Sequence, residues 1–185
     1  MSQGQIRIIG GKWRGRKLTV PSTPHLRPTP DRVRETVFNW LLPVIVDAYC
    51  LDAFAGSGAL GFEALSRGAK AVVLVDAAQE AVKLLQQTAT HFAADNAEIY
   101  CANVPKQLRH PQKPFDIVFL DPPFQQNILL PTCFFLENEK FLAEQAYIYL
   151  EAPAFLQQND LPENWTLLKI KKAGQVAYHL AKRNA

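Results

Sequence analysis

The sequence lacks a long apolar run. No stretch reaches 18 consecutive apolar residues, and the first 17 residues, MSQGQIRIIGGKWRGRK, contain no apolar segment long enough for a signal peptide. Neither a membrane-spanning helix nor a signal peptide is therefore predicted. We expect a cytoplasmic protein that does not contact a membrane.

Cysteine is also scarce, and its three copies are widely separated. Cys50, Cys101 and Cys133 lie in apolar surroundings and are odd in number. A disulfide framework needs pairs, and a zinc site needs ligands at short, regular spacing. We expect three buried free thiols and no metal site.

Acidic residues are almost absent from the two ends of the chain. Residues 1–34 and 165–185 together hold thirteen lysines and arginines and one acid, a net charge of +12. The seven cations and sixteen acids between them give −9. Such asymmetry predicts an acidic catalytic body with basic ends that contact a polyanion. For the C-terminal group, ordinary solvated surface charge is the alternative.

At 185 residues the chain has the length of a single domain, 1–185. Residues 1–30 are predicted to form a basic glycine-rich hairpin and a proline-rich linker, followed by a catalytic body over residues 31–185. Exposed cations on a glycine-rich hairpin suit contacts with phosphates, and an aromatic ring there suits base stacking. For Trp13, packing on the core is an equal alternative. The RNA-binding candidates are Lys12, Trp13, Arg14, Arg16, Lys17, Arg27 and Arg32.

A helix is predicted immediately after the linker. Thr29 is suited to the N-cap position and Pro30 to the first helical position. The Asp31 carboxylate would interact favourably with the positive N-terminal end of the helix dipole. Its apolar residues recur at helical spacing and should face the core. Arg32 and Arg34 are expected to point away from that stripe.

The central motif is LDAFAGSGALG, residues 51–61. It reads as the end of a buried strand, a tight glycine turn at Gly56 and Gly58, and the first turn of a helix that Gly68 ends. Ligands of open α/β sheets bind beyond the carboxyl ends of such strands. A glycine-rich turn without a ligand is the alternative.

Two acidic residues indicate which cofactor this turn would bind. Asp76 follows Gly56 by 20 residues, where an acid that binds a ribose is expected. Asp52, at the strand tip, would repel the pyrophosphate of NAD but would attract the ammonium group of S-adenosylmethionine (SAM). The turn therefore favours SAM over NAD, although the spacing fits both.

The rest of the chain alternates strands with helices. Strands are predicted at residues 71–75, 97–101, 115–120 and 146–150, and helices at 78–92 and 126–144, where Pro131 interrupts the second. Residues 166–170 and 176–180 then predict an antiparallel pair that turns at Gly174. This order describes an α/β fold with a doubly wound, mostly parallel sheet and an antiparallel edge.

The motif DPPF, residues 121–124, follows a buried strand and is the most specific indication of the reaction type. The Asp121 carboxylate and the Pro122 carbonyl are two acceptors for the two N–H groups of an exocyclic amine, and Pro123 stiffens the turn. Phe124 would stack on the extruded base. The alternative is a rigid turn in which Asp121 caps a helix.

Together these motifs resemble class I SAM-dependent methyltransferases that act on exocyclic amines. The flanking segments RIIGGKWRGRKL, LRPTPDRVRETVFNWL, ALSRGA and FDIVFLDPPF resemble the RsmD family over nearly the whole chain. The resemblance implies a Rossmann-like fold with a seven-stranded sheet. It also implies methylation of the 2-amino group of one guanine in 16S ribosomal RNA, within a small subunit or its assembly intermediate. A DNA or other RNA amino-methyltransferase, or a ribosome-binding protein without activity, are the alternatives.

The protein is expected to be a monomer. The resemblance also implies which residues bind the cofactor. Asp76 would bind the ribose hydroxyls, although the family more often has Glu there. Asn103 would lie near the adenine, where the family usually has Asp; its amide oxygen can still accept a hydrogen bond. The residues expected along the methionine part are Asp52, Phe54, Gly56 and Gly58.

Overall fold

The structure is a computed structural model that describes residues 6–19 and 30–185. Its strands are β1 (Ile6–Arg7), β2 (Lys17–Leu18), β3 (Tyr49–Asp52), β4 (Ala71–Asp76), β5 (Ala97–Cys101), β6 (Phe115–Leu120), β7 (Leu142–Ala152), β8 (Trp165–Ala173) and β9 (Val176–Arg183). Its helices are α1 (Asp31–Leu41), α2 (Ala59–Ser66), α3 (Gln79–Phe92) and α4 (Leu129–Asn138). Short 3₁₀ turns lie at Gly11–Trp13, Phe124–Gln126 and Gln158–Asp160.

Seven strands form one sheet in the order β5-β4-β3-β6-β7-β9-β8. The first five are parallel, whereas β9 runs antiparallel to both β7 and β8. The predicted fold class is therefore confirmed. The chain leaves β3 toward β4 on one side and returns to β6 on the other, so a crevice opens between the carboxyl ends of β3 and β6.

The two faces of the sheet are covered by different elements. One buried cluster contains side chains of β1, β2, α1, α2 and α3, and the other contains those of α4. Cys50 and Cys133 are buried free thiols, as predicted. Cys101 is exposed, so that part of the prediction was wrong: it is the last residue of β5, which is an edge strand.

Helix α1 begins at Asp31, directly after Pro30, whereas Thr29 lies outside the described residues. Arg32 is exposed, but Arg34 is fully buried, which corrects its predicted outward orientation. Its guanidinium donates to Asp31 Oδ1 at 2.6 Å and to the Arg7 carbonyl at 2.8 Å. These acceptors allow a charged side chain to remain inside.

The helix predicted over residues 126–144 is shorter in the structure, where it begins at Leu129. Helix α4 ends at Asn138, and residues 142–144, expected to be helical, belong to β7. Pro131 lies in the first turn of α4, where its missing N–H costs little, so it does not break the helix. The C-terminal antiparallel pair is confirmed, with Gly174 in the turn at a φ of +61°.

Candidate active site

The glycine turn lies between β3 and α2, at the carboxyl edge of the sheet. Gly56 and Gly58 have φ values of +51° and +74°, in the region that glycine adopts most easily. A Cβ on Gly58 would lie 2.6 Å from side-chain carbons of Leu85 and Phe62. Both the conformation and the packing therefore require glycine at position 58.

Asp52 is the last residue of β3 and is only 3% exposed. Its Oδ2 accepts a hydrogen bond from the Gly61 N–H at 2.9 Å, which ties the strand tip to the first turn of α2. The pKa of the Asp52 carboxyl is raised to about 7: burial raises it most, the Gly61 N–H lowers it, and the nearby Asp76 carboxylate raises it. A cation bound at this carboxylate would favour its ionised form.

Asp76, at the tip of β4, holds the glycine turn against the neighbouring strand. Its Oδ2 accepts from the Gly56 N–H and its Oδ1 from the Ala78 N–H, each at 2.8 Å. The backbone carbonyl of Asp76 accepts from the Ala102 N–H at 3.0 Å, next to the end of β5. Each carboxylate oxygen has a second lone pair available for a hydroxyl donor.

The other two predicted cofactor residues flank this pair of strand tips. Asn103 is exposed beyond β5, and its side-chain amide donates to Gln107 Oε1 at 3.1 Å. This contact orients the amide and leaves its oxygen as an acceptor. Phe54 is half-buried and packs against the cluster on the α4 face of the sheet.

The DPPF segment lies beside the glycine turn. Strands β3 and β6 are paired with Asp52 opposite Phe119, and the Ala53 N–H donates to the Phe119 carbonyl at 3.2 Å. Asp121 is partly exposed two residues beyond this contact, and Pro122 is buried. Phe124 is partly exposed and opens a 3₁₀ turn, rather than a helix that Asp121 caps. The two predicted motifs therefore lie on adjacent strand tips.

Glu151, which the sequence reasoning missed, lies next to Asp121. Strands β6 and β7 are paired with Leu120 opposite Leu150, so Asp121 and Glu151 follow in the next row. Glu151 is 5% exposed, and its Oε1 accepts from the Tyr149 hydroxyl at 2.7 Å. Burial and this carboxylate raise the pKa of Tyr149. The sequence signal that points to Glu151 is an acidic residue at the end of a predicted apolar strand.

The basic N-terminal hairpin carries exposed cations around a buried ring. Trp13 is 6% exposed, lies 4.9 Å from the Phe92 ring between centroids, and is covered by the Lys12 ammonium at 4.3 Å. Of the two interpretations of Trp13, the structure favours packing on the core. The buried Trp13 ring offers no open face on which a base could stack. Lys12, Arg14, Arg16 and Lys17 are exposed, and Arg27 lies outside the described residues.

The hairpin is attached to α2 through two polar side chains. The Ser66 hydroxyl accepts from the Trp13 N–H at 2.9 Å and donates to the Gly10 carbonyl at 2.5 Å. Glu63 is fully buried and accepts from the backbone N–H groups of Ile9 and Gly10 at 2.7 and 2.8 Å. Helix α2, which begins at the glycine turn, therefore also carries the hairpin.

Gly11 shows how closely the hairpin approaches the helix. Its φ is +76°, and a Cβ there would lie 1.8 Å from the Ser66 carbonyl oxygen. Neither the conformation nor the space accepts a side chain. The hairpin backbone is thus in direct contact with the end of α2.

Two kinds of feature are missing from residues 6–19 and 30–185. They contain no group of three or more histidine, cysteine or acidic side chains arranged to hold a metal ion. They also contain no helix with the length and apolar character needed to cross a membrane.

Comparison with known proteins identifies the family. Residues 6–182 match the family described as Conserved hypothetical protein 95, which is the RsmD family. The chain belongs to the RsmD family. It is 51% identical over 182 residues to ribosomal RNA small subunit methyltransferase D of Escherichia coli, covering 98% of this chain and 92% of that one. The corresponding protein of Haemophilus influenzae is 44% identical, covering 97% and 94%.

Solved structures agree with this family assignment. The structure of yhhF from Escherichia coli matches with a TM-score of 0.89 and 50% identity, over 98% of this chain and 99% of that chain. The crystal structure of HI0767 from Haemophilus influenzae matches with a TM-score of 0.82 and 41% identity, over 98% and 100%. The predicted RsmD family, class I fold and methyltransferase activity are thereby confirmed.

Proposed function

We propose that this RsmD-family methyltransferase transfers a methyl group from SAM to the exocyclic 2-amino group of a guanine in 16S ribosomal RNA. The observation that carries this proposal is the pairing of β3 with β6. It sets the glycine turn after Asp52 beside Asp121. Relatives named ribosomal RNA small subunit methyltransferase D support the choice of RNA.

The residues around the glycine turn fit SAM. Asp52 is buried, carries a raised pKa and lies where it would bind the ammonium of the methionine part, along with Gly56, Gly58 and Phe54. Asp76 would accept from the ribose hydroxyls and Asn103 from the adenine amino group. Bound there, SAM supplies the electrophilic methyl group. NAD fits less well, because its pyrophosphate would face the Asp52 carboxylate.

The DPPF segment would hold the acceptor amine. The Asp121 carboxylate and the Pro122 carbonyl accept its two N–H groups, which directs the nitrogen lone pair toward the methyl group. Pro123 keeps the turn rigid, and the partly exposed Phe124 stacks on the base. Once the nitrogen has been methylated, Asp121 takes the released proton.

The exposed cations of the N-terminal hairpin would bind RNA phosphates. Lys12, Arg14, Arg16 and Lys17 are all exposed, as is Arg32 at the start of α1. We include Arg27 on the sequence alone. The RNA would be presented within a small ribosomal subunit or its assembly intermediate, to a monomeric, cytoplasmic enzyme.

The test is methyl transfer from labelled SAM to RNA and subunits isolated from cells that lack this protein. We expect 2-methylguanine at one position of 16S RNA, found by digestion and mass spectrometry. A DNA of the same base composition serves as the control substrate. Methylation of the DNA instead, or SAM binding without any transfer to RNA, would contradict the proposal.

A further inference from the structure

The C-terminal antiparallel pair carries a cluster of exposed lysines that the proposed chemistry does not use. Lys169 and Lys171, here called the terminal lysine surface, are exposed residues of β8. Lys172 pairs with Ala177, next to Tyr178 on β9, and so points to the opposite face of the sheet. The remaining two C-terminal cations lie away from this surface. Arg183 binds the Glu137 carboxylate at 2.8 Å, and the Lys182 ammonium lies over the Tyr147 ring. Within the described part of the chain, no carboxylate pairs with the terminal lysine surface.

The strand register brings this surface to the catalytic edge of the sheet. Glu151 on β7 lies opposite Tyr178 on β9, which lies opposite Lys171 on β8. Because β9 is antiparallel to both of its neighbours, β8 runs in the same direction as β6 and β7. Lys171 therefore ends up at the same edge as Asp121.

Lys169 and Lys171 point to the face of the sheet that α1 and α2 cover. They pair with Leu180 and Tyr178, whose side chains belong to the cluster that includes α1 and α2, and residues opposite one another on paired strands point to the same side. The Lys171 ammonium lies 6.0 Å from the ring centroid of Trp40 on α1, which confirms this orientation.

The separation suits a nucleic-acid backbone. Three strand intervals lie between β6 and β8, or about 14 Å at the usual spacing of about 4.8 Å. One strand of a nucleic-acid duplex carries a charge about every 3.4 Å along the helix axis, so about four charges fall within that distance. The N-terminal hairpin packs against Ser66 and Phe92, the last residues of α2 and α3, on the part of the sheet that contains β4.

We propose that the terminal lysine surface is a second phosphate-binding surface, separate from the N-terminal hairpin, which holds the RNA backbone beside the target guanine. This inference rests on the proposed function. The exposed side chain of Ile170 pairs with His179 and so points to the opposite face of the sheet, away from Lys169 and Lys171. The face that α1 and α2 cover thus carries Lys169 and Lys171 without Ile170, which favours a polyanion over a protein partner.

The test compares two variants that each remove two charges. One is Lys169→Gln and Lys171→Gln. The matched control is Lys113→Gln and Lys140→Asn, at exposed positions before β6 and β7, on the opposite edge. Asn is chosen at position 140 because that residue has a φ of +58°, which Asn tolerates. RNA affinity is measured at several salt concentrations, together with kcat, KM and SAM affinity.

We expect the first variant to raise KM for RNA about tenfold and to lower the log–log salt slope by up to about 0.7–0.9 for each lost contact. Its kcat and SAM affinity should match those of the unmodified protein. If the salt slope and KM equal those of the control variant, the inference is wrong. If the unmodified protein transfers no methyl group to RNA, the proposed function itself fails, and the two failures are thereby distinguished.

Discussion

Glu63 binds the backbone of Ile9: its Oε2 accepts the Ile9 N–H at 2.7 Å, across 54 residues of sequence. The same carboxylate accepts from Arg67 Nε at 2.7 Å and lies 3.6 Å from Arg34 Nη1. Both Glu63 and Arg34 are fully buried. This carboxylate therefore joins the N-terminal hairpin, α1 and α2.

The Glu63→Ala variant should lose about 3–5 kcal/mol of unfolding free energy, because it removes a buried carboxylate from beside the Arg34 guanidinium, which keeps Asp31, and leaves the Ile9 and Gly10 N–H groups without their acceptor. Urea denaturation measures this loss, and hydrogen exchange should show faster exchange of the Ile9 and Gly10 amides. Glu35→Ala, at an exposed position of α1, is the control and should change stability by less than about 0.5 kcal/mol. A loss of the same size in both variants would contradict this role of Glu63.

Replacement of Trp13 should act on stability rather than on RNA affinity. Its ring is buried against Phe92, so Trp13→Ala leaves a cavity and should cost about 3–5 kcal/mol. A Trp13→Phe variant keeps much of the apolar contact and should retain wild-type RNA affinity. If Trp13→Phe weakens RNA binding without loss of stability, the ring contacts a base after all.

The raised pKa of Asp52 predicts a pH-dependent affinity for SAM. Below about 7 the buried carboxyl is mostly protonated in the free protein, and binding of an ammonium requires it to ionise. Affinity should therefore increase by up to tenfold per pH unit between about 5.5 and 7, where an α-amino group stays charged. Calorimetry in buffers of different ionisation enthalpy should detect proton release on binding. The Asp52→Asn variant should bind more weakly and show no such release; equal pH dependence in both proteins would exclude Asp52.

Asp121 is expected to affect the chemical step alone. The Asp121→Ala variant should keep its fold and its SAM affinity but lose about 10²–10⁴-fold in kcat, because the amine is no longer aligned or deprotonated. Single-turnover methyl transfer at saturating RNA measures this. Asp95→Ala, at an exposed position before β5, is the matched control. A turnover close to that of the control would leave Asp121 with a structural role only.

The sequence was sufficient where local chemistry determines structure. The residues of LDAFAGSGALG carry their own signals: an apolar strand, glycines for positive φ values, and a helix that begins at Ala59. The DPPF segment likewise follows a continuous apolar strand. Because parallel strands end at one edge, the topology alone brings both motifs together.

The features that were missed depend on long-range contacts. Arginine is usually found at the protein surface, so the sequence gives no sign that Arg34 is buried. Glu63 and the Arg7 carbonyl, which are both distant in sequence, make its burial possible. Glu151 becomes a neighbour of Asp121 only through the register of β6 and β7. None of these pairings leaves a periodic pattern in the sequence, so local analysis could not have predicted which residues come into contact.

The N-terminal hairpin also has a consequence for how the protein assembles. Its two strands pair over only two residues each, and a hairpin of that size is not stable in water alone. Its conformation therefore depends on Glu63 and Ser66, and these residues are in place only after α2 has formed. During folding the hairpin must dock late, and on gentle unfolding it should detach early. If the hairpin binds RNA as proposed, it can do so only once α2, the helix that begins at the glycine turn, has formed.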